Sequence, residues 1–195
     1  MRHLLILCIL VGLSATSASL LSAEDAEALK IKGEDLSRIE FPVPDLKPDR
    51  EYLGLPGTGS FRLPQIAGNL LIIEIFSMYC PYCQAEAERV NILHKMIRND
   101  PALKGKVKLI GIGSGNTPFE VNFFRKKYQV SFPLFHDEKK NVQKCANKTI
   151  RTPTFVTVRI DGGSTFSILE IHVGKIADLK GFVKSVSRHL KVGRR

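Results

Sequence analysis

No apolar stretch of this sequence is long enough to cross a bilayer. The longest, residues 4–13, falls well short of the roughly 20 residues that a spanning helix needs. There is no second Cys-X-X-Cys pair and the five histidines are scattered, which leaves no four-ligand pattern for a structural zinc. No internal repeat or low-complexity segment occurs, so a repeat array is excluded. Acidic residues are scarce beside basic ones, 19 against 29, for a formal charge of +10. That balance suits acidic partners or an anionic membrane surface. It comes with no nucleic-acid motif, and residues 188–195 read as a charged helix end and tail. A solvated basic face is the plainer reading, beside the partner and membrane readings. What is left is 44% hydrophobic and 25% charged, the composition of an ordinary globular protein, with length for one domain plus extras.

The N-terminus reads as a secretory leader, residues 1–23. Arg2 and His3 form a short basic region, the apolar run follows, and small residues lead to Ala18 and Ala23, either of which suits cleavage. An uncleaved anchor is the lesser alternative. Cys8 lies inside the apolar run and is assigned no role. Export would place Cys80, Cys83 and Cys145 in an oxidising compartment, periplasmic or extracellular. Residues 24–59 form an N-terminal extension, with a short possible helix at 24–30. Pro42, Pro44, Pro48 and Pro56 argue against long regular structure there, and the extension is expected to pack along the domain formed by residues 60–195.

That domain is organised around residues 72–83, IIEIFSMYCPYC. An apolar run broken only by Glu74, over residues 70–76, predicts a central strand covered on both faces. Two cysteines separated by Pro81 and Tyr82 come next, and a helical pattern follows at once. A thiol at a helix N-terminus meets free backbone N–H groups and the positive end of the helix dipole, both of which stabilise a thiolate. Pro81, at the first helical position, gives up a donor that has no helical partner there. The helix over 81–98 buries a stripe of Cys83, Ala87, Val90, Leu93 or His94, and Ile97.

Further along, the pattern predicts a strand at 107–112, then a helix at 118–128 capped by Asn116 or Thr117. A short strand at 130–135 and a helix at 138–148 come next. A hairpin of 154–160 and 164–173 turns at Asp161-Gly162-Gly163, and an amphipathic helix over 176–190 closes the chain. Residues 60–66 form a further short strand. This order describes an α/β fold, a mixed sheet with helices on both faces.

Strand-then-CPYC-then-helix, the Thr152-Pro153 pair just before a hairpin, and the element order between them resemble the thioredoxin superfamily, and within it the exported TlpA-like thiol–disulfide oxidoreductases. The resemblance covers residues 60–190 and implies a thioredoxin-like three-layer sandwich. It implies that Pro153 is cis and faces Cys80 and Cys83, that Cys80 attacks a substrate disulfide, and that Cys83 resolves the mixed disulfide. Thr152, Pro153, Pro81 and Tyr82 then form the substrate-binding surface, with Tyr79 and Phe76 lining or underlying it. Members often carry tryptophan here, and this chain has none. Glu74, six residues before Cys80, stands where thioredoxins bury an acid that accepts a proton from Cys83. Glu86, three residues after Cys83, matches an acid that some TlpA-like proteins place near the cysteines. No cofactor or metal is expected. The expected partners are protein thiols or disulfides and a membrane-bound or exported redox partner, with the chain a monomer and a reductase, in cytochrome c maturation or general thiol reduction.

Two other functions share the fold. A thiol peroxidase needs a Thr-X-X-Cys setting with an arginine partner, and this turn reads SMYC. A copper-binding or chaperone module would use the thiols as a grip, with His136 or His172 as a further ligand. Cys145 reads as a small buried hydrophobe or, alternatively, as a resolving or regulatory thiol.

Overall fold

The computed structural model describes residues 28–161 and 165–192. The leader, Cys8, most of the expected 24–30 helix and the tip of the hairpin lie outside them. In chain order the elements are α1 (Gly33–Arg38), β1 (Glu40–Pro42), α2 (Lys47–Leu53), β2 (Ser60–Arg62), β3 (Leu70–Phe76), α3 (Pro81–Asn99) and β4 (Val107–Ser114). They continue with α4 (Pro118–Lys127), β5 (Leu134–Asp137), α5 (Asn141–Lys144), β6 (Thr154–Ile160), β7 (Phe166–Val173) and α6 (Leu179–Val192).

Strand β3 lies at the centre of a five-stranded sheet of order β5-β4-β3-β6-β7. It runs parallel to β4 and antiparallel to β6, with Glu74 set between Gly111 and Phe155. All seven of its residues are buried, as a strand covered on both faces requires. The β3–β4 and β4–β5 crossovers step the same way along the sheet and put α3 and α4 on one face. There Leu70, Ile72, Phe76, Leu109 and Phe155 pack against Val90 and Leu93 of α3, Phe124 of α4, and Val186 of α6. Alternate strand residues, Leu71, Ile73, Ile75, Ile110 and Val156, face the other way, as the two-residue period of a strand dictates.

The second face is covered largely by the N-terminal segment. Leu36, Phe41, Leu53 and Phe61 join its core together with Val142 and Cys145. The segment is more regular than its prolines suggest, because Pro48 falls in the first turn of α2, where a missing N–H costs nothing. Tyr52 accepts a hydrogen bond from Leu109 N–H (2.8 Å), and Asp49 takes both guanidinium nitrogens of Arg125 at 2.5 and 3.0 Å.

Four elements differ from expectation. Pro64 stops the strand at Arg62 and turns the chain into a 3-10 segment, Leu63–Gln65. The strand expected at 130–135 starts at Leu134, since Phe132 is used as a core plug. The helix expected at 138–148 shrinks to α5, whose first N–H groups, those of Asn141 and Val142, are taken by the Asp137 carboxylate. The closing helix begins at Leu179, because Ile176 is held elsewhere.

Candidate active site

Strand β3 delivers the chain to a tight turn, residues 77–79, in which Cys80 N–H bonds back to Ser77 carbonyl at 3.1 Å. Cys80 is the N-cap of α3, with extended backbone (φ −81°, ψ 115°), and Pro81 opens the helix. Cys83 heads the buried stripe of α3 and is itself fully buried, while Cys80 is half-buried at the surface. Both are free thiols.

Their electrostatic settings diverge. Burial works against the Cys80 thiolate, but hydrogen bonds from Thr152, the Cys83 N–H and thiol, and the Tyr82 N–H outweigh it and lower the Cys80 pKa. Burial pushes Cys83 far up, and the hydrogen bond to Cys80 and that sulfur's charge add to the rise. As a thiol, Cys80 donates to the Thr152 carbonyl at 3.1 Å. The Thr152–Pro153 peptide is cis. Sequence positions 72 residues apart thus meet at one sulfur.

The two acids are both buried, on the face that carries Cys83. Glu74 is fully enclosed between Ile72 and Phe76, and its pKa rises from 4.5 to about 8 through burial first and repulsion from Glu86 second. Its Oε1 has no hydrogen-bond partner among the described residues. Glu86 is only 3% exposed and has a task of its own. It accepts the Ile176 N–H at 3.0 Å, while Arg89 donates to the Ile176 and Ala177 carbonyls at 2.6 and 3.0 Å. The pair thereby pins the loop between β7 and α6 against α3.

Of the remaining expected site residues, Tyr82 and Tyr79 stand exposed beside Cys80, and Phe76 lies beneath in the core. Tyr79 donates its phenol proton to Glu120. Cys145 belongs to the core on the opposite face of the sheet and donates to the Asn141 carbonyl, so the fold does not bring it to the thiol pair. His172 contacts the Lys175 carbonyl at 2.9 Å. Among the described residues, no group of three His, Cys, Asp or Glu side chains is placed to hold a metal. Sequence reasoning missed Asn116 and Gln84. Asn116 Oδ1 accepts the Met78 N–H and Gln84 Nε2 donates to the Met78 carbonyl, each at 2.8 Å. The sequence marked Asn116 only as a rival to Thr117 for the α4 cap, a task that Thr117 performs in a capping box with Glu120.

A mixed sheet with helices on both sides, a dithiol at a helix N-terminus and a cis X-Pro against the sulfurs define a protein of the thioredoxin superfamily. Within it, residues 40–158 match the AhpC/TSA family, and the chain belongs to that family. No curated protein matches it. Among solved structures, the chain is similar to a secreted Mycobacterium tuberculosis disulfide oxidoreductase homologous to E. coli DsbE. The two are 15% identical with a TM-score of 0.53, over 80% of this chain and 98% of that one. It is also similar to M. tuberculosis DsbF, at 17% identity and a TM-score of 0.52, over 67% and 88% of the two chains. StoA from Bacillus subtilis gives 19% and 0.50, over 65% and 88%. At these identities the likeness is one of fold.

Proposed function

We propose that this protein is an exported thiol–disulfide oxidoreductase, acting as a reductase on protein disulfides. The observation that carries the reading is the placement of the two thiols, Cys80 half-buried at the N-cap of α3 and Cys83 fully buried one turn on, which displaces their pKa values in opposite directions. The Cys80 thiolate attacks one sulfur of a substrate disulfide and the other substrate sulfur leaves as a thiolate. Cys83 then gives its proton to Glu74 in its ionised form, the lesser form near neutrality for a carboxyl raised to about 8, attacks the Cys80 sulfur and releases the first substrate sulfur. The substrate gains two electrons and the Cys80–Cys83 disulfide holds the loss. Thr152, Pro153, Pro81 and the exposed Tyr82 ring form the surface that receives the substrate chain. A membrane-bound or exported partner of thiol chemistry restores the dithiol, and cytochrome c maturation or general thiol reduction is the setting. Residues 1–23 act as the leader, and residues 24–59 as an extension of the 60–195 domain.

Support also comes from a neighbour in fold that is named a secreted disulfide oxidoreductase. Among the described residues no helix is long and apolar enough to cross a membrane. A thiol peroxidase reading is less well supported, because the groups that lower the Cys80 pKa are Thr152, Cys83 and Tyr82, none of them an arginine. The test is the Cys83→Ser protein expressed with its leader. It is expected to accumulate mixed disulfides through Cys80, and the wild type to set a potential near thioredoxin's, about −270 mV. A protein that traps nothing and forms no reversible disulfide would overturn the proposal.

A further inference from the structure

The turn that presents Cys80 is gripped at its middle residue, through the two peptide groups that flank it. Met78 N–H donates to Asn116 Oδ1 and Met78 carbonyl accepts from Gln84 Nε2, each at 2.8 Å. These two side-chain amides come from different elements, the β4–α4 turn and the first turn of α3. Asn116 is 0% exposed, and its own N–H closes a turn onto the Gly113 carbonyl at 3.1 Å. Gly113 is confined as well, since a Cβ there would come within 2.8 Å of Val121 and 3.1 Å of Asn116. The Asn116 Nδ2 makes no well-formed hydrogen bond, though it lies near enough to the Glu120 carboxylate to help stabilise its charge. Burying an amide whose Nδ2 has only this loose contact is unfavourable, so packing alone does not account for asparagine here. The oxygen on Met78 does.

A third tie lies next to it. Tyr79, between Met78 and Cys80, is bonded through its phenol to Glu120, and Glu120 also accepts the Thr117 N–H at 2.8 Å in the α4 capping box. Every residue from Met78 to Cys80 is therefore anchored to something outside the turn. The anchoring matters because the groups that stabilise the Cys80 sulfur (Thr152, Cys83 and the Tyr82 N–H) belong to other elements or to α3 proper. The sulfur meets them only while the turn keeps its place.

We propose that Asn116 and Gln84 are positioning residues for the Cys80 sulfur. They act through the peptide groups that flank Met78 and touch neither sulfur nor substrate. The inference rests on reading Cys80 as the attacking thiol and adds the device that aims it. Loosening the clamp lets the sulfur swing away from its donors, and the thiolate loses their stabilisation.

The experiment is the pH dependence of Cys80 alkylation by iodoacetamide in the reduced full-length protein, with the modified residue assigned by mass spectrometry. Asn116→Leu and Gln84→Leu are each expected to raise the midpoint by about one pH unit, hence about a tenfold slower reaction at pH values below it. Asn91→Leu is the control. Asn91 is a comparable clamp far from the thiols, holding Ser131 N–H and the Tyr128 carbonyl at 3.0 and 3.1 Å, so its loss is expected to lower the melting temperature without moving the midpoint. If Asn116→Leu does not fold, Gln84→Leu carries the test. Clamp variants that lower stability while the midpoint stays put would overturn the proposal, as would an equal shift in Asn91→Leu. A wild type with a low alkylation midpoint and no disulfide exchange would instead sink the oxidoreductase reading and leave the clamp standing.

Discussion

Replacing Glu74 by glutamine isolates a titration that the fold displaces. Burial first, and repulsion from Glu86 second, raise this carboxyl from 4.5 to about 8. Between those values the folded protein holds a proton that the unfolded chain has released, so stability falls as pH rises through that window. His94 runs the other way. Burial first, and the Arg98 charge second, lower it from 6.5 to about 4, so stability gained from the neutral imidazole is lost as pH falls through that range. The two slopes oppose each other below pH 6.5, and of this pair only Glu74 acts from 6.5 up to about 8. At about 1.4 kcal/mol per pH unit, that interval of about 1.5 units amounts to about 2 kcal/mol. The assay is urea unfolding of reduced wild type and Glu74→Gln at intervals from about pH 6 to about pH 9, with stabilities extrapolated to water. Groups common to both proteins cancel in the difference. The wild-type stability minus that of the variant is expected to fall by about 2 kcal/mol between pH 6.5 and 8 and to keep falling only slightly above that. A flat difference would refute the reasoning, since Glu74 would then keep one protonation state throughout.

Three further outcomes follow from the same geometry. Glu86→Gln keeps an acceptor for Ile176 N–H but removes the charge that repels ionised Glu74, so the Glu74 transition is expected at lower pH in the same unfolding series; an unchanged transition would show the acids to be uncoupled. Glu86→Ala leaves the buried Ile176 N–H without its partner and is expected to cost about 1–3 kcal/mol, read as a lower urea midpoint at constant m-value. Asp49→Ala strands Arg125, which Asp49 holds through two nitrogens, and is expected to cost a similar 1–3 kcal/mol. It should also speed proteolysis within residues 28–59, and equal cleavage of variant and wild type would show that the segment is held without this pair.

How far the sequence disclosed this arrangement depends on the range of the forces involved. The bounds of β3 were legible because a doubly covered strand writes an unbroken apolar run, and the start of α3 because Pro81 marks a first helical turn. The N-terminal segment was not legible as α1, β1 and α2. Neither helix has a side-chain cap, both are short, and what stabilises them is the burial of Leu36 and Leu53 against strands far along the chain. At the site, the thiols announced themselves by type and spacing, and Thr152–Pro153 only through the family resemblance. The task of Glu86 did not, since its partner Ile176 lies 90 residues away. Asn116 likewise acts 38 residues from its own position, and no local pattern encodes such a contact. Pattern reads what neighbours along the chain do to one another, while the clamps are made by the topology.

The asymmetry of the two thiols follows from a feature of α3 that has nothing intrinsically to do with redox chemistry. A helix that docks on a sheet must turn one stripe inward, and in α3 that stripe runs Cys83, Ala87, Val90, His94 and Ile97. Cys83 is its first member, so the packing that fastens the helix also desolvates this sulfur and holds its proton on. Cys80 stands one turn earlier, outside the stripe, at the N-cap where backbone N–H groups point outward and stabilise negative charge. One residue further along the helix, position 81 is exposed and position 84 half-buried, so neither sulfur there would be fully desolvated. A three-residue step across the edge of an amphipathic helix thus parts a half-exposed sulfur from a buried one, the contrast on which the proposed roles of the two thiols rest. Glu74 belongs to the same inward layer, where burial also keeps a carboxyl protonated near neutrality. The exposure of Cys80 is set by where the helix begins, and the burial of Cys83 and Glu74 by where the helix docks on the sheet.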